Sequence, residues 1–272
     1  MAVFNFFKIK SFLLKDYLIE SSYKLNFVLT FVNSTFPIIS IYFLGRLISS
    51  PHTISLEKYG GKYFPFALIG VAFTRFFQLA VDTFSGNIKR AQMAGCLEAI
   101  LSAKTGAKTV VLLSSLYSFL SAGVQLFFMF FLGLVFFDFD LSNTNFPATV
   151  LILFSSMITF ISLGVLSAAG TVVFKQGEPI GWLFGILSAL LGGAMFPVSI
   201  MPLWLQWFAK VFPITYTLDA LRLATLRNYS ILQLREQLLI LTSMAIILFP
   251  VSLKIFEWTI EKGKREGTLI QY

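Results

Sequence analysis

The residue types that do chemistry are sparse in this chain, and their spacing points away from catalysis. The single histidine, His52, stands between Pro51 and Thr53 with no acid, base or nucleophile beside it. A hydrolase or transferase site would need such partners. The single cysteine, Cys96, allows no disulfide within the chain and gives a thiolate metal site no second ligand. No Gly-x-x-x-x-Gly-Lys-Ser/Thr loop is present to cradle phosphates. What the chain does carry is polar stripes embedded in apolar sequence. They are Thr30, Asn33, Pro37 and Ser40; Arg75, Gln78, Asp82 and Ser85; Ser114, Ser118, Ser121 and Gln125; and Ser155, Thr159 and Ser162. Each recurs every three or four residues, so each falls on one face of a helix.

The helices that hold these stripes read as membrane spans. Six runs, roughly 25–47, 63–81, 109–137, 150–174, 180–196 and 238–255, are apolar enough, and most are long enough, to cross a bilayer. A hydrocarbon core about 30 Å thick takes about 20 residues at 1.5 Å each. In lipid every backbone polar group must be satisfied within its own segment, so the spans are helices. Composition agrees: with 57% hydrophobic and 12% charged residues, the chain has too little polar surface to cover a soluble globule. The phenylalanines of the third run, such as Phe127 and Phe131, read as lipid-facing or core. No repeat or low-complexity linker divides the sequence, so residues 1–272 read as a single transmembrane domain.

The net charge of +8 sorts by loop, which favours a membrane topology over a nucleic-acid partner. With the N-terminus inside, thirteen basic residues fall in cytoplasmic segments and seven outside, Arg222 among the latter, with Arg75 inside a span. Both termini are therefore expected in the cytoplasm. The N-terminal segment carries Lys8, Lys10 and Lys15 through its length, unlike a cleavable leader. Its polar positions Lys8, Ser11, Lys15 and Ser22 predict an interfacial helix resting on anionic lipid.

Two segments between spans carry more information. Residues 85–104 are charged enough to leave the membrane, and Met93, Leu97, Ile100 and Leu101 fall at helical spacing with Arg90 and Glu98 elsewhere on the surface. This predicts a short amphipathic cytoplasmic helix that docks a soluble partner or lies on lipid. Residues 192–227 are apolar but broken by Pro197, Pro202 and Pro213, so no continuous helix can form. Trp204, Trp207 and Tyr216 suit a membrane interface. The segment reads as short helices that dip into the outer leaflet and return, an external re-entrant hairpin.

At these two places the chain resembles the type-2 (ABC-2-like) permease subunits of ABC exporters. Gly95-Cys96-Leu97-Glu98-Ala99-Ile100-Leu101 is similar to the family's Gly-Thr-Leu-Glu motif in a cytoplasmic coupling helix, with Cys96 where Thr is usual. Phe196-Pro197-Val198, Met201-Pro202-Leu203-Trp204-Leu205 and Phe212-Pro213-Ile214-Thr215-Tyr216, ending Leu218-Asp219-Ala220-Leu221-Arg222, resemble its external hairpin. The resemblance implies an all-α polytopic fold of six transmembrane helices located in the cytoplasmic membrane. It implies a permease of an ATP-driven exporter, working as a homodimer or close heterodimer. ATP and Mg would be bound by a separate ATPase subunit, with no cofactor on this chain. The ATPase contact is then expected at Arg90, Met93, Leu97, Glu98 and Leu101. Glu178 would be a second contact or a plain loop charge.

Polar groups inside spans are expensive, so Thr30, Asn33, Arg75, Gln78, Ser114, Ser118 and Gln125 are expected to line a translocation path or the dimer seam, interhelical glue being the competing reading. Gly181, Gly185, Ser188 and Gly192 make a small-residue stripe for close packing. For Arg75, an ion pair with Asp82 and a contact to an anionic substrate both stand open. The substrate class expected is amphiphilic, lipid-linked, glycan-like or a drug. An ion-coupled carrier is the alternative and would want acidic residues at mid-span; an intramembrane enzyme is the weaker third reading.

Overall fold

The computed structural model describes residues 6–48, 54–93, 95, 107–174 and 179–265, and these are mostly helical with no strand among them. In chain order the helices are α1 (Phe6–Ser22), α2 (Lys24–Leu47), α3 (Tyr63–Met93), α4 (Ala107–Phe136), α5 (Phe146–Phe174), α6 (Pro179–Leu191), α7 (Leu203–Ala209), α8 (Pro213–Leu226) and α9 (Arg235–Arg265). A 3-10 turn, Ile54–Tyr59, precedes α3, and a shorter one, Val198–Ile200, precedes α7. Among the described residues five helices are long and apolar enough to cross a membrane: Val28–Leu47, Tyr63–Met93, Ser115–Phe136, Phe146–Phe174 and Arg235–Arg265.

Two helix boundaries differ from the sequence expectation. The polar run after Val81 does not start a new helix: α3 continues to Met93, and the chain turns only at Gly95, whose φ of 64° favours glycine. Arg90 and Met93 therefore sit on the last turns of α3. The fifth apolar run does not form one helix to Phe196. α6 stops at Leu191 after 13 residues, about 20 Å by rise, because Gly192 and Gly193 follow and Gly193 takes a φ of 72°.

α3 and α5 form the centre. Phe77 meets the Phe160 ring edge-on at 4.6 Å between centroids, and Phe84 packs on Phe119 of α4. Gly164 of α5 lies under the Phe84 ring, where a Cβ would collide. α9 runs along α5, with Leu241 and Phe256 buried. Outward faces are strongly apolar, as Phe127, Phe36 and Ile246 show, which suits lipid contact. α1 lies against α4.

The proline-broken segment folds as its sequence requires. Pro202 caps α7 and Pro213 opens α8, positions where a missing N–H costs nothing. Gln206 donates to the Met201 carbonyl at 2.8 Å and Thr215 to the Ala209 carbonyl at 2.7 Å, closing the hairpin. Leu203, Trp204, Trp207, Phe208 and Val211 face outward together.

Candidate functional site

One end of the bundle is organised around two residues a single turn apart on α8, Asp219 and Arg222. Arg222 is buried. Its Nε donates to the Phe66 carbonyl at 3.1 Å and its Nη2 to the Ala194 carbonyl at 2.8 Å, while the guanidinium lies 3.5 Å from the Phe66 ring centroid. Gly70 makes the room: a Cβ there would collide with the Ala194 carbonyl and the Arg222 guanidinium. Asp219 accepts from Lys58 Nζ at 2.6 Å, from the Tyr59 hydroxyl at 2.6 Å and from Gln237 Nε2 at 3.0 Å. Burial disfavours its charge, but these three donors outweigh burial and hold its carboxyl below the ordinary carboxylate range. Burial, reinforced by Asp219, pushes the Tyr59 phenol well above its ordinary value, so Tyr59 remains a donor.

The cluster ties the hairpin to the α2–α3 loop, the start of α3 and the start of α9. Arg227 reaches the Glu57 carbonyl, and the α4–α5 loop joins through Asn145 N–H to the Ala224 carbonyl at 2.9 Å. These segments therefore share one face of the bundle.

A second set of polar groups lies at mid-depth. α3 and α6 run antiparallel. Gln78 Nε2 donates to the Gly185 carbonyl at 3.3 Å, and a Cβ at Gly181 would come within 3.2 Å of Asp82 Oδ1. That register puts Ser188 at the level of Arg75, on the side of α6 that faces α3. The absent side chains of Gly181 and Gly185 let the backbones approach, as the packing expectation held. α3 and α4 are also antiparallel, matched at Leu68 with Gly133 and at Phe84 with Phe119, which puts Gln125 level with Phe76, next to Arg75. On α2, Phe31 meets Phe128 at 4.9 Å, so Thr30 lies within a turn of the same layer. Arg75 is 12 residues into α3 from Tyr63, roughly 18 Å, about half way through a 30 Å core.

In this layer Thr74 Oγ1, Arg75 Nε, Gln125 Oε1 and Ser188 Oγ are buried without a hydrogen-bond partner among the described residues. Arg75 forms no ion pair among the described residues; Lys15–Asp16 and Lys58–Asp219 are ion pairs elsewhere in the structure. Buried polar atoms are normally satisfied, so four open ones at one depth are unusual.

The remaining expected residues are distributed as follows. Gln78 anchors α6, and Ser118 is half-buried on α4. Asn33 faces outward on α2. The α5 stripe is glue: Ser155, Thr159 and Ser162 are buried, and Thr159 Oγ1 lies 3.4 Å from the Leu241 carbonyl of α9. Arg90 and Met93 are exposed at the opposite end of the bundle from Arg222. Leu97, Glu98, Leu101 and Glu178, and the side chain of Ser114, lie outside the described residues. Of the hairpin residues, Pro197 and Pro213 are buried, Pro202 and Trp204 are exposed and Tyr216 is half-buried. The sequence reading missed the role of Asp219 and Arg222, counting Arg222 as an external charge. The available signal was an Asp–Arg pair at i, i+3 in a helix otherwise filled by Leu, Ala and Thr.

The fold and these sites define a multi-pass helical membrane domain with unpartnered polar atoms at mid-depth. The ABC-2 type transporter family model matches residues 13–226, from α1 to the end of α8, and the chain belongs to that family. It is thus an ABC transporter permease, a transport subunit of a family that works with an ABC ATPase. No curated protein matches the chain.

Proposed function

We propose that this permease is the membrane subunit of an exporter in the cytoplasmic membrane, driven by a separate ATPase and paired with a second permease copy. Its substrate is amphiphilic, lipid-linked or glycan-like, or a drug, and passes the mid-depth layer at Thr30, Arg75, Gln78 and Gln125. The observation that carries the path is that layer, where Arg75 Nε and three neutral polar atoms are buried without a partner among the described residues. A structural role would have paired them. An ion-coupled carrier would want a carboxylate at that depth, and Asp82 stands two turns away on α3. In this reading α6 and the turn after it make the sixth crossing, the hairpin α7–α8 is re-entrant on the external side with the Asp219–Arg222 end, and α1, with Leu14, Tyr17 and Leu18 exposed beside Lys15, rests at the cytoplasmic interface.

The ATPase then docks at the other end, below Arg90 and Met93, on the segment containing Leu97, Glu98 and Leu101, with Glu178 nearby. Glu98→Lys tests this. The protein should still insert and fold, while transport in vesicles falls relative to ATP hydrolysis by the complex. Unchanged complex formation together with unchanged transport refutes the docking assignment.

A further inference from the structure

We propose that the mid-depth layer binds an anionic headgroup, a phosphate or carboxylate carried by an amphiphile, with Arg75 as its counter-ion. The proposal rests on the permease reading above and names its substrate class. A guanidinium half way through the hydrocarbon core needs a carboxylate, a set of carbonyls or water to offset its charge. The described residues supply none of these: Arg75 makes no ion pair and no hydrogen bond, and its Nε is buried. Facing it across the α3–α6 seam, Ser188 is fully buried with its hydroxyl unpartnered. Gln125 is 7% exposed, and its Oε1 accepts from nothing among the described residues.

This donor set suits an anion. Arg75 offers a planar fork of N–H groups that matches a phosphate or carboxylate edge, and Ser188 offers a hydroxyl proton. Gly181 and Gly185 keep the adjoining face of α6 free of side chains, and the outward faces around the seam, including Trp182 and Ile186 of α6, are apolar. An acyl or polyprenyl chain would remain in that apolar surround while its headgroup sits at Arg75. A neutral amphiphile would leave the guanidinium uncompensated, so the site discriminates by charge.

Dodecyl phosphate is the probe, with dodecyl maltoside as the neutral amphiphile of equal chain length and inorganic phosphate as the free anion. Binding is read as the shift of the thermal unfolding midpoint of the purified full chain in nanodiscs, titrated against each compound. Wild type should respond to dodecyl phosphate and not to dodecyl maltoside. Arg75→Gln should weaken that response roughly ten- to hundredfold, the scale of losing a charge-assisted hydrogen bond, and Arg75→Lys should restore part of it. An equal response in wild type and Arg75→Gln overturns the site, as does an equal response to dodecyl maltoside. A response to inorganic phosphate matching that to dodecyl phosphate overturns the amphiphile in favour of a free anion. A merely structural Arg75 would move the midpoint without probe and leave the titration unchanged. The permease reading fails separately, if the wild-type chain isolated from its native membrane brings no ATPase subunit with it.

Discussion

Replacing Asp219 by alanine removes the acceptor at the centre of the outer cluster, and the geometry apportions the loss unequally among its three partners. Lys58 Nζ is close, at 2.6 Å, but its side chain is 55% exposed. An exposed ion pair of this kind contributes at most about 1 kcal/mol. The Tyr59 hydroxyl is equally close and part-buried, and a hydrogen bond to a carboxylate there contributes about 1.5–3 kcal/mol. Gln237, at 3.0 Å, adds about 1 kcal/mol as a longer bond. The three share one carboxylate, so their contributions overlap, and Asp219→Ala should cost about 3–4 kcal/mol. The assay is equilibrium unfolding in mixed micelles, run as two double-mutant cycles. Asp219→Ala with Tyr59→Phe should show a coupling of about 2 kcal/mol, and Asp219→Ala with Lys58→Ala below about 1 kcal/mol. A Lys58 coupling equal to or above that of Tyr59, or a total cost under about 1 kcal/mol, would refute the reasoning.

Three further outcomes follow from the same geometry. Because the Asp219 carboxyl is held below its ordinary range, its contribution is complete above about pH 5 and is lost as pH falls through the lowered pKa, below about 3.9. The unfolding midpoints of wild type and Asp219→Asn should therefore converge as pH falls below about 3.9, and parallel curves would contradict this. Gly70→Ala should displace the Ala194 turn from α3 and lower the midpoint by more than Gly185→Ala, whose Cβ would find ordinary contact with Gln78 at 3.5 Å; equal midpoints would show that α3 and the hairpin do not pack this closely. In a Cys96→Ala background, exposed Ser199→Cys should label readily with an impermeant thiol reagent from the external side, and buried Thr217→Cys far more slowly from that side. Labelling of Thr217→Cys from the cytoplasm alone would mean that α8 crosses the membrane.

The long apolar runs made the spans legible, because about 20 uninterrupted apolar residues have few other folded solutions. The proline-broken hairpin was legible for the complementary reason, since Pro197, Pro202 and Pro213 each forbid a continuing helix. The end of α6 was written in the Gly192–Gly193 pair, but a hydropathy reading passes straight over two glycines in an apolar run. The extension of α3 to Met93 was hidden because the residues after Val81 are polar yet favourable to helix, so polarity alone marked a boundary too early. What one sequence could not show was which stripes are paired. Ser155 and Thr159 resemble Ser114 and Ser118 in spacing, and only the packing of α9 against α5 makes the former glue. Arg222 and Arg75 differ in the same way. The acceptors of Arg222, Phe66 and Ala194, lie 156 and 28 residues away in sequence, whereas Arg75 has none among the described residues.

The account stands most directly on whether this chain works as half of a two-component machine. Affinity isolation of the full chain from its native membrane in mild detergent, followed by identification of bound subunits and an ATP hydrolysis assay, measures this. The account predicts a bound ABC ATPase subunit and hydrolysis that copurifies with the permease. A chain that is folded by its cooperative thermal transition, yet purifies without an ATPase subunit and without hydrolysis, would contradict it.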